Sequence, residues 1–119
     1  MSTRRHLARK NFVFYCEVFD GDSGKLLGRM NDLSEEGIML LGNGPLETGR
    51  TYRLKVVFPF ELAARSELEF SAECLRCQQD INPDYWDLGF RLEALTPLTR
   101  KLVDSLIERL AIDEQVTDY

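Results

Sequence analysis

Residues 51–58 read TYRLKVVF, and this stretch decides the fold class. Its apolar residues alternate along one face of an extended chain: Tyr52, Leu54, Val56 and Phe58. Such a period of two is typical of a β-strand with one buried face. We therefore predict a strand over residues 51–58, which Pro59 ends because proline cannot donate a hydrogen bond to a strand ladder.

Further strands are predicted on both sides of this one. The segments rich in aromatic and β-branched residues are 11–19, 25–30, 38–41, 67–77 and 85–92. Turn compositions separate most of them, over residues 20–24, 31–37, 42–49 and 78–84, and a charged loop precedes residue 67. Five or six consecutive strands make an antiparallel sheet, and closure into a barrel removes its exposed edges. An open sandwich is the alternative, because the number of strands does not fix closure.

The end of the chain changes from strand to helix periodicity. From Leu98 onward the apolar residues follow the spacing of an amphipathic helix, with Thr96 as the N-cap and Pro97 as the first helical residue. A helix of about fourteen residues is predicted to pack on the sheet or barrel. We expect a basic arm over residues 1–10, a barrel and helix over 11–112, and an acidic tail over 113–119.

The length and composition describe a soluble globular domain. The 119 residues suit a single domain, with 44% apolar and 29% charged residues. No apolar stretch is long enough to cross a bilayer or to serve as a signal peptide. We therefore expect a cytoplasmic protein with no membrane insertion.

The charge is distributed unevenly along the chain. The first ten residues carry four positive charges and no acid, so the other 109 residues have a net charge of −9. Duplex DNA binding needs a broad basic surface, which the acidic body does not offer. The same acidity argues against a single-stranded nucleic-acid binder, although a basic arm and aromatic residues occur in such proteins. A small dianionic ligand needs fewer positive charges.

The sequence offers little for catalysis or metal binding. His6 is the only histidine, and it lies in the arm, which is a poor place for a general base. Cys74 and Cys77 have CxxC spacing, but residues three apart in a strand point to opposite faces, so their sulfurs should diverge. Cys16 and His6 are the only further soft ligands. We predict reduced structural thiols, no metal and no enzyme activity.

Two clusters of polar residues remain. Arg5 and Arg9 lie four residues apart in the arm, and Asp32, Ser34 and Gly37 fall within one turn before a strand. Taken alone, the arginines are typical of a solvated basic tail. The second cluster is typical of a turn in which Asp and Ser bond the backbone and Gly37 takes a positive φ.

Together, the two clusters resemble the signature of the PilZ domain family. This family carries RxxxR in an N-terminal arm and (D/N)xSxxG some twenty-odd residues later. Residues 5–9 read RHLAR, and residues 32–37 read DLSEEG. Residues 87–95, DLGFRLEAL, resemble the family's LGxxF strand that leads into the last helix. The resemblance covers nearly the whole chain.

The resemblance implies a fold and a ligand. PilZ domains are six-stranded antiparallel β-barrels with a C-terminal helix, and most with both motifs bind cyclic di-GMP. By similarity, Arg5 and Arg9 hold phosphates and guanine Hoogsteen edges, whereas Asp32 and Ser34 complete the guanine contacts. Gly37 keeps the turn low enough for a base to lie against the barrel.

Two further arginines gain expectations from the resemblance. Arg76 occupies a position that faces the ligand in many relatives, so it either stacks on a guanine or lies solvated on its strand. Arg4 precedes the RxxxR motif, and relatives with arginine there tend to bind two ligand molecules per chain. A receptor of this kind signals to a partner protein in motility, biofilm or chemotaxis machinery. The alternative is a PilZ-fold interaction module that does not bind the nucleotide.

Overall fold

The computed structural model describes the backbone of residues 16–117 and the side chains of residues 16–110. It contains six strands followed by one helix. They are β1 (Glu17–Asp20), β2 (Leu26–Leu33), β3 (Gly37–Gly42), β4 (Thr51–Leu62), β5 (Arg65–Gln79), β6 (Trp86–Leu92) and α1 (Pro97–Thr117). The predicted first strand began at residue 11, and its residues 11–15 lie outside the described part of the chain.

The six strands form a closed barrel. Their order around it is β1, β2, β3, β6, β5 and β4, with β4 pairing back to β1, and every pair is antiparallel. Closure gives each strand two neighbours and removes the exposed sheet edges. The predicted antiparallel barrel with a C-terminal helix is therefore confirmed, and the open sandwich is excluded.

The core follows the alternation that predicted the fold. Tyr52, Leu54, Val56 and Phe58 all point into the barrel and are buried. Helix α1 contributes a stripe of buried residues to the same core: Leu102, Val103, Leu106 and Leu110. The helix thus packs on the barrel through the apolar stripe that its sequence predicted.

Helix α1 begins as predicted and ends later than predicted. The Thr96 hydroxyl accepts a hydrogen bond from the Thr99 N–H at 3.2 Å, and Pro97 is the first helical residue. This is an N-cap with proline at the position where a missing N–H costs nothing. The helix has 21 residues and not about fourteen, because no glycine or proline follows Leu110 to end it. Residues 113–117, predicted as part of a tail, are helical.

Pro59 does not end its strand, which corrects the sequence prediction. Strand β4 continues to Leu62, and a two-residue turn of Ala63 and Ala64 leads directly into β5, in place of a charged loop. The last β4 residue paired with β1 is Val57, and the β4–β5 register shifts beyond it. Pro59 lies in this irregular part of the strand, where no regular ladder bond needs its missing N–H.

Two β-bulges change which residues face outward. In β2 the register shifts between Met30 and Asp32, and in β5 it shifts between Cys74 and Arg76. Each bulge adds one residue and reverses the inward and outward positions after it. As a result, Asp32 and Arg76 both lie on the outer surface of the barrel.

The same bulge corrects the prediction for the cysteine pair. Cys74 pairs with Phe90 and Cys77 with Leu88, and both of these partners are buried in the core. Cys77 therefore packs against the core on the same side of β5 as the fully buried Cys74. The prediction of diverging sulfurs was wrong because it assumed an unbulged strand.

Over residues 16–117, no helix combines the length and the apolar character needed to span a membrane.

Candidate functional site

Two of the predicted site residues are joined at the β2–β3 connection, where Ser34 lies in the turn and Gly37 begins β3. The Ser34 N–H donates to the Gly37 carbonyl at 2.9 Å, and the Ser34 hydroxyl accepts from the Glu36 and Gly37 N–H groups at 3.3 Å each. The prediction that Ser34 bonds the backbone of this turn is thus confirmed. Asp32 belongs to β2 and not to the turn, and the bulge directs it outward beside Ser34.

Gly37 has a structural reason to be glycine, but not the predicted one. Its φ is not positive, which corrects that expectation. It pairs with Arg91 in the β3–β6 ladder, and a Cβ added to it would lie 2.5 Å from the Phe90 carbonyl oxygen. No real Cβ approaches an oxygen so closely, so Gly37 is required by the close approach of β3 and β6.

Arg76 lies on the outer face of β5, beyond the bulge. It pairs with Gly89 of β6, and a Cβ added to Gly89 would meet the Arg76 Cβ at 3.3 Å. The Arg76 guanidinium donates to the Gln78 side-chain oxygen at 3.0 Å. The stem of Arg76 therefore crosses over the space that a larger residue at position 89 would fill.

These residues line one open groove of about 480 Å³ on the outer surface of the barrel. The structure brings together four of the predicted site residues there: Asp32, Ser34, Gly37 and Arg76. The groove runs across four adjacent strands, from β2 through β3 and β6 to β5. Its volume falls in the range of about 300–1,000 Å³ that is common for small-molecule sites.

The groove also contains residues that the sequence reasoning missed. Among them are Glu36, Met39, Leu75, Gly89 and Arg91. Leu75, the extra residue of the β5 bulge, is 53% exposed. The buried residues of β5 are even-numbered up to Cys74, and beyond the bulge the inward position falls on Cys77.

The charges around the groove nearly balance. Its lining contains two acids, Asp32 and Glu36, and two arginines, Arg76 and Arg91. Arg91 forms an ion pair with Glu73 of β5. The described residues therefore give the groove no excess of positive charge.

One carboxyl group close to Arg76 is electrostatically perturbed. Burial raises the pKa of Asp87, and a hydrogen bond and charge repulsion from Asp80 raise it further, whereas Arg76 lowers it. Asp87 lies on β6, two residues before Gly89, and pairs with Gln78 of β5. Asp87 and Asp80 thus form a pair of acids near Arg76.

The thiols and the remaining predicted residues lie elsewhere. Burial raises the pKa of Cys16 to about 12, and burial also raises the pKa of Cys74, so both remain protonated thiols at neutral pH. Among the described residues, no three His, Cys, Asp or Glu side chains are grouped so that they could hold a metal ion. Arg4, Arg5 and Arg9 lie outside the described residues.

The closed six-stranded barrel, the helix after β6 and the groove at the DLSEEG turn define a PilZ-type barrel. The family model of the PilZ domain matches residues 3–109. The chain therefore belongs to the PilZ domain family. No curated protein matches it.

Solved structures share the fold at low sequence identity. The PilZ domain with c-di-GMP of YcgR from Escherichia coli has 19% identity and a TM-score of 0.61, with 87% of this chain and 85% of that chain covered. The Bacillus subtilis inhibitor of motility, MotI/DgrA, has 17% identity and a TM-score of 0.56, with 81% and 46% covered. MrkH from K. pneumonia in its apo state has 13% identity and a TM-score of 0.64, with 87% and 48% covered. The chain thus spans about half the length of MotI and of MrkH.

Proposed function

We propose that this protein is a receptor for cyclic di-GMP that signals to a partner protein and makes or breaks no covalent bond. One observation carries the proposal: Arg76 lines a single groove on the barrel together with Asp32, Ser34 and Gly37 of the motif, although it lies far from them in the sequence. Membership of the PilZ family and the fold shared with the c-di-GMP-bound domain of YcgR support the choice of ligand.

The side chains of the groove suit the chemistry of this ligand. Cyclic di-GMP carries two phosphodiester charges and two guanines. A carboxylate such as that of Asp32 accepts hydrogen bonds from guanine N1 and N2, and adenine has no donor at N1. A guanidinium such as that of Arg76 bonds phosphate oxygens, pairs with guanine O6 and N7, or stacks on a base, whereas lysine does only the first well.

The balance of charge in the groove supports a role for the arm in binding. Two arginines and two acids leave no net attraction for a dianion. The first ten residues supply four positive charges, including those of Arg5 and Arg9. In the proposed complex, Arg5 and Arg9 bind the phosphates and the guanine edges, and the residues of the groove select the base.

The chain enters the barrel at a point from which the arm can reach the whole groove. The Cys16 carbonyl accepts a hydrogen bond from the Met30 N–H at 2.8 Å, so the described chain begins beside the β2 bulge that carries Asp32. Arg9 lies seven residues earlier, a span of up to about 23 Å in an extended chain. The distance from β1, across β2, β3 and β6, to β5 is four strand spacings, or about 19 Å.

The proposed signal is a change of surface. Ligand bound between the arm and the groove fixes the arm across β2, β3, β6 and β5, and so changes what a partner protein contacts. A partner in motility, biofilm or chemotaxis machinery fits the family, and one solved neighbour is described as an inhibitor of motility.

Isothermal titration calorimetry with cyclic di-GMP tests the receptor function, with GTP and cyclic di-AMP as competing nucleotides. We expect selective binding at micromolar or lower concentration, weakened by added salt because part of the attraction is ionic. Arg5→Ala and Arg9→Ala should each abolish binding without changing the unfolding transition. Arg65→Ala is the matched control, because Arg65 is exposed at the far end of β5 from Arg76.

The same titrations give the stoichiometry. With Arg4 in front of the RxxxR motif, we expect two ligand molecules per chain, and one per chain in Arg4→Ala. A wild-type protein that binds no cyclic di-GMP would refute the receptor function and favour the interaction module that uses the fold without the nucleotide. Affinities of Arg5→Ala and Arg9→Ala equal to the wild type would refute the role of the arm.

A further inference from the structure

A side chain of helix α1 contacts the turn between β2 and β3. The Arg100 guanidinium donates a hydrogen bond to the Glu35 carbonyl at 2.9 Å, joining residues 65 positions apart in the sequence. Glu35 lies in the turn between Ser34 and Gly37. We infer that Arg100 is a positioning residue that holds this turn in the form that presents Asp32 and Ser34 to the groove. This inference rests on the proposed function and extends it to the helix.

One hydrogen bond inside the turn has a normal length, from the Ser34 N–H to the Gly37 carbonyl at 2.9 Å, and the others are longer. The two hydrogen bonds to the Ser34 hydroxyl are 3.3 Å long, beyond the usual 2.7–3.2 Å for an N–H donor. The Glu35 and Glu36 carbonyls find their partners outside the turn, in Arg100 and in the Leu92 N–H at 2.9 Å. The bond from Arg100 is the charged one of these two, and charged donors form the stronger hydrogen bonds.

Arg100 is itself held in a fixed place. It lies in the first turn of α1, where its N–H donates to the Thr96 carbonyl at 2.8 Å, and Asp104 lies one helical turn later at 4.0 Å from its guanidinium. Two residues after Arg100, the buried stripe of α1 begins with Leu102 and Val103. The donor therefore comes from a helix that packs on the core, and the acceptor is a carbonyl of the turn whose partner lies outside the turn.

This contact couples the helix and the groove in both directions. A partner that binds α1 and draws Arg100 away would weaken ligand binding, and by linkage the ligand would weaken that partner to the same extent. The contact thus gives helix α1 a physical route to the ligand site, although none of its side chains up to Leu110 lines the groove.

Arg100→Gln and Lys101→Gln separate this contact from a simple loss of charge. Both remove one positive charge from the same helical turn, but Lys101 is exposed and has no bond to the β2–β3 turn. In the ligand-free protein, NMR amide exchange at Ser34 and Gly37 should be at least roughly threefold faster in Arg100→Gln than in Lys101→Gln, as expected for the loss of one hydrogen bond. Amides of β4 and β5 should exchange at the wild-type rate in both variants.

Ligand binding gives the second readout. The affinity for cyclic di-GMP should fall roughly three- to tenfold in Arg100→Gln, as expected for one such bond, and Arg100→Lys should recover part of it because lysine still donates to a carbonyl. Equal exchange and equal affinity in Arg100→Gln and Lys101→Gln would overturn the inference. Absence of binding in the wild type would refute the proposed receptor function alone, and the exchange in the ligand-free protein would then decide the role of Arg100.

Discussion

Arg76 crosses directly over Gly89, and an added Cβ on Gly89 would lie 3.3 Å from the Arg76 Cβ and 4.0 Å from its Cδ. The contact is tight but not prohibitive, because a shift of β5 by a few tenths of an ångström at the Arg76 Cβ would relieve it, and the Cδ already lies at van der Waals distance. A larger residue at position 89 should therefore reduce ligand affinity in the groove and have little effect on the free energy of unfolding.

Gly89→Ala should accordingly weaken ligand binding with little loss of stability. We expect the affinity for cyclic di-GMP to fall at least roughly fivefold and the free energy of unfolding to change by less than about 1 kcal/mol. Gly44→Ala is the matched control, because a Cβ at Gly44 meets no atom within 4 Å. Calorimetry and urea unfolding of both variants make the comparison. Wild-type affinity in Gly89→Ala would show that Arg76 and the groove floor take no part in binding.

Gly37→Ala should behave differently, because its obstacle is backbone. The added Cβ would lie 2.5 Å from the Phe90 carbonyl oxygen, so β3 and β6 must move apart. We expect the free energy of unfolding to fall by about 1–3 kcal/mol, as for other overpacked sites. Urea unfolding beside Gly44→Ala measures this. A stability equal to that of the control would mean that glycine is needed at position 37 for the ligand alone.

The pKa of Asp87 offers a test of the electrostatics near Arg76. Burial and Asp80 raise this pKa above its ordinary value of 3.8, while Arg76 opposes them. An acid with a raised folded-state pKa binds its proton more tightly when folded, so it lowers stability as the pH rises from 3.8 through that pKa. Asp87→Asn should therefore be more stable than the wild type at pH 7, with the difference shrinking as the pH falls through the same window.

Arg76→Gln should raise the pKa of Asp87 further, because it removes the opposing positive charge. The carboxyl carbon of Asp87, followed by NMR against pH, gives the midpoint directly. Arg53→Gln is the control, since Arg53 pairs with Glu69 and is not among the groups that shift this pKa. An unchanged midpoint in Arg76→Gln would mean that the guanidinium does not act on the acid pair.

Local patterns in the sequence were enough to predict the strands and the helix, whereas closure into a barrel stayed one of two alternatives. The alternation from Tyr52 to Phe58 and the Thr96-Pro97 start of the helix express local preferences that the final packing preserves. The prediction that Pro59 ends its strand was wrong because the effect of a proline depends on which neighbouring strand is paired at that point. Pairing between strands is a property of the whole barrel and cannot be read from one segment.

The candidate site was predictable in its motif and not in its geometry. The DLSEEG turn and Arg76 were identified from the sequence, and the structure places them around one groove. Arg91 was missed because its place opposite Gly37 depends on β3 pairing with β6, two strands that are far apart in the chain. The bulge in β5 also reversed the expected direction of Cys77, because one extra residue inverts every later position in a strand.

The turn between β4 and β5 contains backbone strain, and substitutions that relieve this strain should raise the stability of the protein. Ala63 and Ala64 have φ values of 52° and 62°, in the left-handed region that costs a residue with a Cβ about 1–2 kcal/mol. Two-residue hairpin turns of this kind favour Asn followed by Gly. The double variant Ala63→Asn, Ala64→Gly should therefore raise the free energy of unfolding by about 1 kcal/mol.

Thermal and urea unfolding of this double variant would measure the gain, with Ala94→Gly as the control. Ala94 is exposed in the segment between β6 and α1 and is not among the residues with positive φ, so glycine there adds only freedom to the unfolded chain and should lower stability slightly. The turn follows the irregular end of β4 and lies far along β5 from Arg76, so the affinity for cyclic di-GMP should not change. A loss of stability in the double variant would mean that contacts of the alanine methyl groups outweigh the backbone cost.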